Sequence, residues 1–484
     1  MIFDKALQKY KKMPVVARAT GWFVICSLIQ KGISFITTPI FARLLSTEQY
    51  GLYSVYTSWL QILTIFSTFR LDYSVFNKGM SKYPADRDAY TSSMLGLTTV
   101  INTFLLVVYL IFRRTINNFT ELNTIIFLCM FLQLYFIPAI NFWSLRQRYE
   151  FRYRMVVAVT IIMAVCNAGI GVAAVLVSEN KGMARIVSGV LVEVIIGFII
   201  YMVCMIKGRC FWNKEYIKFA ILFNIPLIPH YFATYIVEQS DKIMIQKLID
   251  FGAAALYSIA YTVGGIVKIF ISALTNTLIP LQYGLLEKKD YKELNKQITT
   301  VMLGVSCMIV CLSTVAPEVV LVLGGERYMT AVYVMPPVIA SVYFSFLYTL
   351  LANIEFFFDE NKFAMKISFL GATVNVVLNY IFIPQFGYVA AAYTTLVCYV
   401  IYAVGHFSFV SKVAQKKAGV TIFSAAKFLG LGFFVTVLSI AMSLLYPYVL
   451  YRYILLACML AIGGLNYRKI IEFLKKMGGS NGKG

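Results

Sequence analysis

Four ionisable side chains, Lys31, Glu193, Lys268 and Glu355, fall well inside long apolar runs of the sequence. A charge surrounded by hydrocarbon is costly, so such groups face a hydrated cavity or a partner. Two basic and two acidic residues leave two readings open. In one, they form structural ion pairs or snorkel to an interface. In the other, they line a cavity in which the lysines attract an anion and a carboxylate exchanges a proton or a sodium ion. Lys31 and Lys268 are the stronger candidates for anion contact, and Arg18, early in the same run as Lys31, is placed to join them. Glu193 and Glu355 are candidates for ion coupling or gating, and Glu193 equally suits a hydrogen-bond acceptor that stabilises helix packing.

A second constellation follows Asn224: Pro226, Leu227, Ile228, Pro229 and His230. Prolines at this spacing remove helical hydrogen bonds, free backbone carbonyls and produce either a hinge or a fixed kink. His230 beside them has the only side-chain type whose ordinary titration lies near neutrality, or it simply hydrogen-bonds the freed backbone. Asp241 and Lys242 suit either an interfacial pair tying two helices together or, through Asp241, an ion-coupling site. Tyr53, Tyr56, Tyr257 and Tyr261 either anchor helices at the lipid–water interface or line a lumen and stack on carbohydrate rings.

Other chemistries find little material. No Gly-x-x-x-x-Gly-Lys-[Ser/Thr] loop occurs to cradle a nucleotide phosphate. Were the chain to move a solute, the energy would have to come from an ion gradient, the membrane potential or the cargo's own gradient. The nine cysteines nearly all sit in apolar runs without metal-ligand spacing, and there are only two histidines. No catalytic residue, metal site or cofactor is expected.

The elements that must position these residues are membrane spans. Of 484 residues, 60% are hydrophobic and 13% charged, with a mean hydropathy of +0.76, which no water-facing surface of this length could carry. Apolar stretches of about twenty residues, the length that crosses a bilayer core, recur throughout. They predict an all-α integral membrane protein with fourteen helices at 15–45, 50–69, 90–112, 122–145, 155–177, 182–206, 216–237, 251–278, 298–323, 329–358, 364–383, 388–411, 422–446 and 450–465. The first run contains Lys31 and lacks a small-residue cleavage site behind it, so it reads as a span and not as a signal peptide.

Alternate loops fix the orientation. One side collects 32 of the 43 Lys and Arg residues, the other nine, and Lys31 and Lys268 lie within spans. With an even helix number, the positive-inside bias places both termini in the cytoplasm. The net charge of +21 is thereby a topology signal and an attraction to anionic phospholipids, and nucleic acid is not needed to explain it. All loops are short; the longest, 70–88, cannot form a catalytic domain. A weak internal similarity at an offset of 204 aligns Leu52, Tyr53 and Ser54 with Leu256, Tyr257 and Ser258. It fits a parallel repeat of two six-helix lobes. The expected organisation is a cytoplasmic segment 1–14, an N-lobe 15–206, a C-lobe 207–411, two further helices within 412–465 and a cytoplasmic tail 466–484.

Three stretches carry a family resemblance: Pro226-Leu227-Ile228-Pro229-His230, Ser240-Asp241-Lys242-Ile243-Met244-Ile245 and Leu256-Tyr257-Ser258-Ile259-Ala260-Tyr261. With the opening stretch from Thr38 to Tyr53, they resemble the Wzx-type oligosaccharide flippases, the polysaccharide biosynthesis transporters of the MOP superfamily. Ala254 and Ala255 stand where a glycine is common in that family. The resemblance implies a V-shaped pair of six-helix lobes around a cationic cavity. It also implies movement of an undecaprenyl-pyrophosphate-linked oligosaccharide (an O-antigen, capsule or exopolysaccharide unit) across the bacterial inner membrane, in company with polysaccharide polymerase machinery. A multidrug exporter or a lipid II flippase of the same superfamily is the alternative.

Overall fold

The computed structural model describes residues 15–360 and 362–465. Of the described residues 89% are helical, and none is in a strand. It forms two compact units, divided between Tyr235 and Ile236.

The first unit contains α1 (Val15–Leu44), α2 (Thr47–Thr68), α3 (Ser74–Lys82), α4 (Arg87–Ile111), α5 (Arg113–Thr120), α6 (Thr124–Tyr149), α7 (Tyr153–Val177), α8 (Lys181–Gly208) and α9 (Lys214–Asn224). A 3₁₀ turn over Ile225–Leu227 leads into α10 (Ile228–Leu248), within which the division falls. The second unit continues with α11 (Phe251–Glu287), α12 (Tyr291–Thr314), α13 (Ala316–Gly324), a 3₁₀ segment (Glu326–Val334), α14 (Met335–Phe357), α15 (Lys362–Phe386), α16 (Val389–Ala418), α17 (Ala425–Met442) and α18 (Val449–Leu465).

Each of the fourteen expected spans meets a helix, and among the described residues twelve helical stretches are long and apolar enough to cross a bilayer. The two outside that set are α2, whose 22 residues open on the polar Thr47-Glu48-Gln49, and α18, with 17 residues. The ninth expected span is broken at Val315, where α12 ends and α13 begins with Pro317 in its first turn. Polar side chains start the helices at defined points. Ser46 and Gln49 form a reciprocal capping box on α2, Asp250 accepts from Ala253 N at 2.7 Å on α11, and Asp290 caps α12.

Outward faces are apolar: Phe104, Val177 and Leu444 are 65%, 87% and 75% exposed. A surface of this kind is solvated by lipid and not by water. Inside the first unit α8 packs against α6 and α7, and α1 against α7. Close approach there depends on glycine: a Cβ on Gly96 would lie 1.8 Å from the carbonyl oxygen of Phe211. The loop expected at 70–88 contains α3, which buries Val75, Phe76 and Met80 beside Tyr90 and Phe142. In the second unit α14 is the central helix, buried along most of its length and packed chiefly on α16 and α11.

The proline pair breaks its helix as its chemistry requires. Pro226 cannot donate to the ladder, and α9 gives way to the 3₁₀ turn before α10 resumes. Just before it, the buried Asn224 amide donates to the carbonyl of Phe69. Phe69 and Arg70 both adopt left-handed φ values, 46° and 51°, at the end of α2. Two successive non-glycine residues in that region are unfavourable by themselves, and the Asn224 bond helps hold the turn.

Candidate functional site

In the second unit, α10 carries Asp241 to a position where it is 1% exposed. Its Oδ1 accepts from Asn379 Nδ2 at 2.7 Å, and its Oδ2 accepts from Thr395 Oγ1 at 2.7 Å and from the Tyr257 hydroxyl. Asn375 and Asn379 are one helical turn apart on α15 and so share a face. Asn375 accepts from Ser240 Oγ at 3.0 Å and donates to Thr395 Oγ1 at 3.2 Å, while Thr394 Oγ1 donates to Asn379 Oδ1. The carboxylate is thus held by neutral donors from α11, α15 and α16, with no ion pair among the described residues. Chemically, this is a buried acid whose two oxygens accept from one amide and two hydroxyl donors, the neutral partners that a carboxyl group taken out of water needs. Tyr257 is fully buried and serves the carboxylate; it presents no surface to a lumen. Lys242, its neighbour in sequence, instead lies 5.6 Å above the ring of Tyr261.

Lys268, on α11, is bound on three sides. Its Nζ lies 3.3 Å from Glu238 Oε1, 3.3 Å from the Tyr261 hydroxyl and 3.4 Å from the Tyr399 hydroxyl. Both charged side chains are partly exposed, at 28% and 36%, so the pair remains open to solvent or ligand. Tyr399 stacks with Tyr348, and Tyr348 with His406 at 5.6 Å. His406 Nδ1 lies 2.7 Å from Glu355 Oε1, both buried. Two in-span charges thereby have partners, Glu238 and His406, that charge reasoning on the sequence did not name.

The first unit brings Tyr53 and Glu193 to one cavity of about 220 Å³, together with Arg185. The outer-loop count of basic residues includes Arg185, yet the residue sits one turn inside α8 and is 7% exposed. Its Nη2 donates to the Tyr53 hydroxyl at 3.1 Å, and its guanidinium carbon lies 4.3 Å from the Phe41 ring centre and 4.7 Å from that of Tyr53. Glu193, two turns further along, accepts from Gln133 Nε2 at 2.6 Å, and Gln133 in turn accepts from Tyr56.

Arg18 lines a separate hollow of about 350 Å³ with Phe151, Arg152, Tyr153 and Arg154. The side chain of Lys31 lies outside the described residues. His230 stands in the first turn of α10 directly after the proline break, its ring 6.0 Å from Tyr231. The signal for the missed residues was faint. Asn375, Asn379, Thr394 and Thr395 are neutral polar residues inside apolar runs, at spacings that share a face only once the helix is known.

Comparison with known proteins places this geometry in context. The chain is similar to a protein of the Lsg locus of Haemophilus influenzae, 22% identical over 73% of this chain and 88% of that protein. It is also similar to the "Probable low-salt glycan biosynthesis flippase Agl15" of Haloferax volcanii, 20% identical over 83% of this chain and 85% of that one. Its fold matches the lipid II flippase MurJ with a TM-score of 0.68 at 14% identity, covering 93% of this chain and 99% of that structure. A multidrug resistance MATE transporter of the MOP superfamily follows with a TM-score of 0.59 at 11% identity, covering 83% and 100%. Residues 16–282 match the family described as polysaccharide biosynthesis protein, and with more than half of its length matched this multi-pass membrane protein belongs to that family.

Proposed function

We propose that this chain is a flippase that carries a polyprenyl-pyrophosphate-linked oligosaccharide from the inner to the outer leaflet of the bacterial plasma membrane by alternating access. Family membership and a relative named as a glycan biosynthesis flippase support the cargo class. The observation that carries the reading is the hollow where Arg18, Arg152 and Arg154 converge. These three belong to the side that the charge bias assigns to the cytoplasm. Arginine is the side chain best suited to a pyrophosphate, through paired N–H donors. A polyprenyl tail can remain in lipid while such a headgroup crosses. The partly exposed Lys268 offers a second cation deeper along the chain. A multidrug exporter shares the fold, but a cationic drug would meet like charge at the arginine hollow.

In the same proposal, the Asp241 network is the coupling site, exchanging a proton or sodium ion as the transporter turns over. The break at Pro226 and Pro229 is the hinge, His230 is its neighbour, and Glu193 and Glu355 are gating positions. The lobes correspond to 15–206 and 207–411, both termini are cytoplasmic, anionic phospholipids surround the basic loops, and a polysaccharide polymerase takes up the product.

Deleting the gene in its host tests the cargo assignment. The lipid-linked glycan should accumulate on the cytoplasmic leaflet, and a variant with Arg18→Gln and Arg154→Gln should restore export poorly despite normal insertion. Unchanged glycan distribution after deletion, in a host with no second flippase, would reject the reading.

A further inference from the structure

The 220 Å³ cavity of the first unit is lined from α1, α2, α7 and α8, and its polar groups are Gln30, Thr37, Tyr53, Asn167, Arg185 and Glu193. Their types are informative together. Arg185 only donates, a carboxylate at Glu193 only accepts, and the two amides and two hydroxyls do both. Arg185 and Glu193 face one cavity, yet no ion pair joins them. The arginine is pinned against the rings of Phe41 and Tyr53, and its Nε and Nη1 have no hydrogen-bond partner. Glu193 is turned toward Gln133. A buried guanidinium and a half-buried carboxyl that could neutralise each other but stay apart are costly unless a polar guest bridges them.

The charge pattern decides which guest. An anion would satisfy Arg185 and be opposed by Glu193; a cation would meet the reverse. A neutral polyol supplies acceptors to the first and donors to the second. The cavity holds the volume of about seven waters at roughly 30 Å³ each, enough for one sugar ring. We propose that this cavity is a subsite for a single neutral pyranose, whose hydroxyls bridge Arg185, Asn167 and Glu193. The source of that sugar, the transported glycan, rests on the flippase reading; the binding chemistry does not.

Saturation-transfer NMR on the full-length chain in nanodiscs tests the subsite, with methyl glucoside, N-acetylglucosamine and glucuronate as probes. At least one neutral sugar should show transfer, exceeding glucuronate by about threefold or more because Glu193 opposes a second carboxylate. Asn167→Leu, which removes an amide, and Ala168→Phe, which fills the cavity from the same helix, should each abolish that transfer. Thr277→Ala, at an exposed position of α11 in the second unit, should leave it intact. Melting curves identify any variant that has lost its fold, and the other pocket variant then decides. No transfer to either neutral sugar, a stronger signal from glucuronate, or a signal that survives in a folded pocket variant would overturn the subsite. A chain that binds a neutral sugar but moves no lipid-linked glycan keeps the subsite and loses the flippase reading. One that moves the glycan and binds no neutral sugar does the opposite.

Discussion

Replacing Asp241 probes both the packing and the coupling assigned to it. The carboxylate is 1% exposed and accepts from Tyr257, Asn379 and Thr395. Asp241→Leu keeps the size and removes every acceptor. The losses are unequal. Asn379 Nδ2 retains a bond to Asn375 Oδ1 at 3.4 Å, and a threonine hydroxyl in a helix can turn to the carbonyl one turn back. Tyr257, fully buried, is left without that acceptor. With about 1–3 kcal/mol for each buried donor left unpaired, and partial rescue of two, the expected cost is about 2–4 kcal/mol. Asp241→Asn keeps a carbonyl acceptor, so its cost should stay within about 1–2 kcal/mol. It removes the charge that a proton or cation would meet, and transport should fall at least about tenfold, equivalent to about 1.4 kcal/mol of barrier. Thermal unfolding in nanodiscs and leaflet transport by the same preparations separate the two effects. A leucine variant as stable as the wild type would refute the hydrogen-bond network. An asparagine variant with full, still gradient-dependent transport would refute the coupling role.

Arg452 is 2% exposed, forms two bonds to Glu318 at 2.8 and 2.7 Å, and donates to the Thr314 carbonyl at 3.0 Å. Because Glu318 is one-third exposed and can be partly re-solvated, Arg452→Ala should cost about 1–3 kcal/mol, read as a lower melting temperature. Lysine should recover only part of it, since it lacks the fork. Gly96→Ala forces a methyl group onto the Phe211 backbone, which cannot give way like a side-chain tip; the expected loss is about 3 kcal/mol in thermal unfolding, with low yield of folded protein. Replacing Pro226 and Pro229 together by Ala restores two backbone donors to the break. Transport should slow while the melting temperature holds or rises; an unchanged rate would make the break a static kink.

What the sequence made legible follows from the solvent. Lipid demands long apolar helices, so runs of hydrophobic residues located nearly every helix, and the proline pair located the break before α10. The sites were harder to see, because sequence reasoning weighed charge and neglected neutral polar residues. Glu355 and Lys268 stood out, but Tyr399, Glu238 and His406, which bind them, are ordinary in sequence and meet only through packing. Asn375 and Asn379 left only a faint signal, two uncharged amides four residues apart in an apolar run. Arg185 was obscured by its nearness to Lys181, which made it look like part of a loop when it is one turn inside α8.

The most direct measurement uses purified chain in sealed proteoliposomes containing a fluorescent polyprenyl-pyrophosphate oligosaccharide, with lectin accessibility reporting the leaflet. Under an imposed proton or sodium gradient, the wild type should move the glycan to the opposite leaflet, collapse of that gradient should slow it, and Asp241→Asn should remove the dependence. Equal leaflet exchange in protein-free vesicles, or no exchange by folded protein under any gradient, would contradict the account.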